Sequence, residues 1–214
     1  MNTVVDNDVL IKGACYRLLA QFIEAASAED VVGVLGAARF VVPKQIAKKC
    51  PRRGPALPLA DFTAFMQTCS ILEPDLQERD LAAVLELAAQ RAGLSLDAGE
   101  SQLCAIVAVR SLASLVTGDK RAIRAAESVL DAEQRFANLA GKLRCLEQIV
   151  LTLLTGVRSR EDLRAAICGE PAIDTALTIC FACFSADPPA GAVTAGINSY
   201  IRALRSDAPR VLAP

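Results

Sequence analysis

LDAGESQLCAIVAVRSLASLVTGDKRAIR, residues 96–124, reads as helix, strand, helix, with an acidic residue at each start. Asp97-Ala-Gly-Glu100 opens a dense apolar run from Leu103 to Val109. Ala113-Ser-Leu-Val116 is too short for a helix, and the pair Thr117-Gly118 bounds it, so it reads as a buried strand. Asp119 then starts a new helix, KRAIRAAESVL. A buried strand between helices is the repeating unit of a parallel α/β sheet, and ligands of such sheets sit beyond the carboxyl ends of the strands. Asp119 falls at such an end.

Each of these acids also has a purely structural reading. Asp97 with Glu100 three residues later forms a capping-box pattern, and Asp119 is a good N-cap before Lys120. A catalytic reading requires them to converge, with a third acid arriving from elsewhere. Thr3-Val4-Val5 supplies it: a short β-branched run that ends at Asp6, followed by the turn residues Asn7-Asp8 and a helix. Asp6 thus holds the same kind of place as Asp119. Two parallel strands would put both carboxylates on one edge of one sheet.

Composition restricts the chemistry. A chain of 214 residues is one good-sized domain, or one with an appended piece, and its 53% hydrophobic content with only 4% aromatics predicts an aliphatic core. The net charge of −1 gives no global field for nucleic acid, so any such contact needs a local basic patch. Histidine is absent, which excludes His-based triads and every His-containing zinc site. Chemistry here would run on carboxylates, Lys, Cys, Ser or a metal held by oxygen. The eight cysteines are scattered through apolar runs, and Cys180-Phe-Ala-Cys183 stands alone, so they are expected to be reduced, buried small hydrophobes. The N-terminus lacks the order of a signal peptide, and no apolar run reaches the ~18 residues of a membrane span. The expectation is a soluble cytoplasmic protein.

Taken in order, a long helix is expected after Asp8, with Leu10, Ala14, Leu18 or Leu19, Phe22 and Ala25 on one stripe, and helical material continues through Val31–Leu35. Arg39-Phe-Val-Val42, ending at Pro43, reads as a second strand. The following stretch gathers Lys44, Lys48, Lys49, Arg52 and Arg53 with no acid between them. Such a run is usually a solvated face, and a phosphate-backbone contact is the alternative, to which Lys120 would add. Asp61 is expected to cap a helix, and Pro74–Ala92 forms another that Gly93 stops. Beyond Leu130 no strand is evident. Residues 139–154 read as one helix, with Leu139, Leu143, Leu146, Val150 and Leu153 on one face. Ser159 caps a second helix, Pro171 opens a third that runs to Phe184, and Val193–Leu204 forms a last one. The domain reading is an α/β unit over residues 1–130 with a helical extension, residues 131–214, packed on it.

With Asp6, Glu100 and Asp119 identified, VVDNDVLIK, LDAGESQLCAIVAV and SLVTGDKRAIR resemble, in that order, the first strand, the central acidic helix and the later strand of a PIN domain (PilT N-terminus). The resemblance spans residues 1 to about 130. It implies a three-layer α/β/α fold with a mainly parallel sheet and Mg²⁺- or Mn²⁺-dependent cleavage of RNA. It further implies Asp6, Glu100 and Asp119 as metal-binding carboxylates and Thr117 as a polar neighbour that orients water or phosphate. An antitoxin partner and a homodimer are implied as well. Crowded carboxylates repel unless a hard cation neutralises them, and Mg²⁺ prefers oxygen ligands. One feature departs from the pattern: the stretch VVPKQIAKKC offers Lys and Gln where many PIN domains carry a further acid. Asp97 is the first candidate to substitute for it as a metal ligand, ahead of Asp8 and Glu147. The competing readings are a binding module without chemistry, and an ordinary α/β protein whose acids are only caps.

Overall fold

The computed structural model describes residues 1–27, 31–156, 158–189 and 191–214. The chain begins with strand β1 (Thr3–Val5) and helices α1 (Asn7–Tyr16) and α2 (Leu19–Ala26), then β2 (Gly33–Leu35), α3 (Ala38–Lys49) and α4 (Ala56–Met66). It continues through β3 (Ser70–Leu72), α5 (Leu76–Arg91), α6 (Ala98–Val109), β4 (Ser114–Thr117) and α7 (Lys120–Val129). A 3-10 turn (Gln134–Leu139) leads to β5 (Leu143–Cys145), α8 (Leu146–Thr155), α9 (Arg160–Cys168), α10 (Thr175–Cys180) and α11 (Ala192–Asp207).

The strands form one parallel sheet in the order β3-β2-β1-β4-β5. Val4, Val34, Val116 and Leu143 are all fully buried, as strands covered on both faces require. From β1 the chain steps outward to β2 and β3, then crosses back to β4 and continues to β5. Right-handed crossovers place connections of opposite direction on opposite faces. In agreement, α5 packs on α6 and α7, while α1 packs on α2, α3 and α4 and α2 packs on α8. The result is a three-layer α/β/α fold with a largely helical C-terminal part. The order reverses between β1 and β4, so the crevice beyond their carboxyl ends is the topological switch point. No helix among the described residues is long and apolar enough to cross a membrane.

Several local expectations are corrected. The single long helix after Asp8 is two, because Arg17 takes a left-handed conformation (φ 61°) and ends α1. Residues 31–35 end in β2 rather than continuing a helix, and Arg39–Val42 lies in α3, with Pro43 inside that helix. Asp61 is not a cap; it sits within α4 and pairs with Arg17. The segment after Pro171 forms only the short α10, capped by Asp174. The part beyond Leu130 does contain a strand: β5 joins the sheet beside β4, and Leu212 adds a parallel bridge outside it. The expectation of reduced cysteines also fails, since Cys15–Cys50 and Cys168–Cys183 are disulfides. The CxxC is not a pair: Cys183 bonds Cys168, while Cys180 is free and buried.

Candidate functional site

Three helix starts converge on the switch point. Asp6 follows β1 and caps α1, its Oδ1 accepting from the Asn7 amide at 2.7 Å. Asp97 and Glu100 form the expected capping box on α6: the Glu100 amide donates to Asp97 Oδ1 at 2.8 Å and the Asp97 amide to Glu100 Oε2 at 3.0 Å. Asp119 follows β4 and caps α7. The structural roles anticipated for these acids are therefore real. The same residues also line one cavity of about 850 Å³, together with Asp8, Lys12, Lys49 and Arg121. Capping fixes the acids there; it does not remove them from the site.

Thr117 ties the two central strands together. Its hydroxyl donates to Asp6 Oδ2 at 3.2 Å and accepts from the Asp119 amide at 3.1 Å. Gly118 follows, and a Cβ there would displace the ends of the Asp8 and Lys12 side chains, which occupy that space.

The carboxylates differ in charge balance. Asp6 is buried, and desolvation, with added repulsion from Asp8 and Asp97, pushes its carboxyl up to about 6. Burial also drives Glu100 up to about 8, aided by the negative charges of Asp97, Asp119 and Asp6. Asp119 goes the other way. Burial acts to raise it, but hydrogen bonds from Arg121 outweigh that and hold it below the usual carboxylate range. The Arg121 guanidinium touches both Asp119 oxygens, with Nη2 at 2.5 Å from Oδ2. Beneath the acids, burial raises the Cys104 thiol to about 12, so it is no thiolate ligand at neutral pH.

Two site residues had no local signal. Lys12, on α1, pairs with Asp8 at 2.6 Å and with Asp174 at 2.7 Å, and its ammonium lies 3.4 Å from the Gly118 carbonyl oxygen. Burial alone would lower its pKa; the two carboxylates reverse this and keep it charged. Asp174 lies 162 residues along the chain from Lys12, and only the fold reveals the pair.

Of the basic residues, Lys49 alone among the expected nucleic-acid contacts lines the cavity, on the α3 stripe Ala37, Val41, Gln45, Lys49. Lys44, Lys48 and Arg52 are solvent-exposed away from it. Arg53 serves the fold: its guanidinium donates to the carbonyls of Tyr16 and Ala165, and its amide to Glu170. Lys120 is also committed, paired with the buried Glu147 at 2.5 Å and lying over the Tyr200 ring. Both already have partners within the fold, neither lines the cavity, and Glu147 is not a cavity acid.

No family model, curated protein or solved structure matches the chain. Five carboxylates (Asp6, Asp8, Asp97, Glu100 and Asp119) line the cavity against three cations (Lys12, Lys49 and Arg121). Among the described residues, no three acids or thiols already stand in a geometry that would hold one ion. The donor set is nonetheless all oxygen and short of positive charge, which fits a hard divalent cation.

Proposed function

We propose that the chain is a Mg²⁺- or Mn²⁺-dependent ribonuclease of PIN type. The observation that carries this is the convergence of Asp6, Glu100 and Asp119, from three separate elements, on one cavity at the switch point. Asp6 and Glu100, with Asp97 beside them, would hold the ion, and Asp119 would join once its Arg121 partner turns to substrate. A bound ion would supply a water of lowered pKa and steady the leaving oxygen of a phosphodiester. Thr117 would keep Asp6 aimed into the cavity, while Arg121 and Lys49 would receive phosphates at the rim.

RNA as substrate, an antitoxin partner and a homodimer come from the resemblance of the three motifs alone. The cytoplasmic location expected from the sequence is set against the two disulfides, which oxidising compartments favour. The test is cleavage of single-stranded RNA with Mn²⁺, comparing wild type with Asp6→Asn and Glu100→Gln. Both variants should lose cleavage while melting no lower than metal-free wild type, and a chelator should silence wild type. Undiminished cleavage by either variant would sink the proposal.

A second reading, an RNA-binding module without chemistry, draws on two features. Arg121 occupies both oxygens of Asp119, and the α3 wall carries Gln45 and Lys49 but no acid. Under it, Lys49→Glu weakens RNA binding while Asp6→Asn leaves binding untouched.

A further inference from the structure

Lys12 is an unusual occupant for an acidic cavity: a buried ammonium surrounded by oxygen. It reaches Asp8 one helical turn earlier on α1, Asp174 at the start of α10, and the Gly118 carbonyl after β4. Two carboxylates and a carbonyl are the ligand types a hard divalent ion takes. The paired ends of Asp8 and Lys12 lie directly against Gly118, in the space a methyl there would take. A lysine ammonium is a compact point charge on a flexible stem, suited to fill such a cage. On the other side, Asp6, Glu100 and Asp97 have no ion-pair partner among the described residues, whereas Asp119 has Arg121.

We infer that Lys12 stands where a second divalent ion would otherwise sit, so that the cavity takes one ion and a built-in ammonium instead of two ions. This rests on the metal-dependent reading proposed above. In two-metal sites both ions carry the charge of a displacement; here a fixed charge from the chain would take one share. Asp8 and Asp174 then act as the clamp that positions Lys12, and α10 becomes part of the active site.

The experiment counts ions. Full-length protein is titrated with Mn²⁺ by calorimetry, with free Mn²⁺ followed independently by electron paramagnetic resonance. Wild type should bind one ion, and Lys12→Met two, because Asp8, Asp174 and the Gly118 carbonyl are released. The double variant Lys12→Met/Asp174→Asn should return to one, and it relieves the unpaired charge that threatens the single variant's folding. Two ions in wild type would overturn this inference and leave the nuclease proposal standing, as would a count of one in folded Lys12→Met. No ion in wild type would overturn both. If Lys12→Met does not fold, Lys12→Gln takes its place in the count, with two ions expected and one overturning the inference.

Discussion

The two halves of the acidic cavity solve the same electrostatic problem in opposite ways. On one side, Asp8 and Asp174 share Lys12, and Asp119 is held by Arg121. On the other, Asp6 and Glu100 are buried with only hydrogen bonds to satisfy them, and their carboxyls are pushed up to about 6 and about 8. The first half carries its counter-charge in the chain. The second half is left to find it, from protons or from a cation. Capping geometry alone does not distinguish the halves, since Asp6 and Asp119 both cap helices. The position of the cationic side chains does.

The largest effect is expected from breaking the compensated half. Lys12→Met strands the buried Asp174 and the half-buried Asp8, and removing one partner of a buried pair costs about 3–5 kcal/mol. Urea denaturation at neutral pH measures this; a loss below ~1 kcal/mol would mean that the pair is solvated. The uncompensated half should reveal itself through pH. Glu100 ordinarily titrates at 4.5 and is raised to about 8 in the fold. Between those values the native state keeps a proton that the unfolded chain has lost. Its contribution to metal-free stability therefore falls as pH rises, by at most about 1.4 kcal/mol per pH unit. Asp6 contributes with the same sign between 3.8 and about 6. Glu100→Gln should flatten the decline between pH 6 and 8, and an unchanged slope there would assign the decline to other groups.

Gly118→Ala forces a methyl against Asp8 and Lys12 and should cost about 1–3 kcal/mol, read as a drop in melting temperature. The smallest effect belongs to Arg121→Ala. Its side chain is 75% exposed, so the pair with Asp119 contributes less than ~1 kcal/mol to stability. The same substitution frees Asp119, and Mn²⁺ affinity should rise while stability hardly moves. Equal affinity would place Asp119 outside the ion's reach.

What could be read from the sequence follows physical range. The stretch around residues 96–124 carries its own signals, a capping box, an apolar run and a turn pair, and the structure reproduces them within a residue or two. The strands β2, β3 and β5 are three residues each, too short to show alternation or distinguish themselves from neighbouring helix. Phe40-Val-Val42 has β-branched character, yet Val42 and Ile46 bury one face of a helix, and tertiary packing overrides local preference. In the site, the acids announced themselves because capping is local. Lys12 with Asp174 could not, and neither could the Cys15–Cys50 bond, because nothing nearby in the chain marks either partnership.

That bond has a mechanical consequence. It ties the end of α1, whose start forms one part of the cavity, to the end of α3, whose stripe forms a wall. Closing a loop over a sequence separation of 35 is worth roughly 4 kcal/mol in chain entropy. It also joins the two helices as a single jaw. Moving α3 away from α1 is restrained where Cys15 and Cys50 join the ends of the two helices, whereas the Asp97–Glu100 turn carries no such cross-link among the described residues. That turn carries the charge a ligand would have to meet, so accommodation and recognition fall on the same few residues.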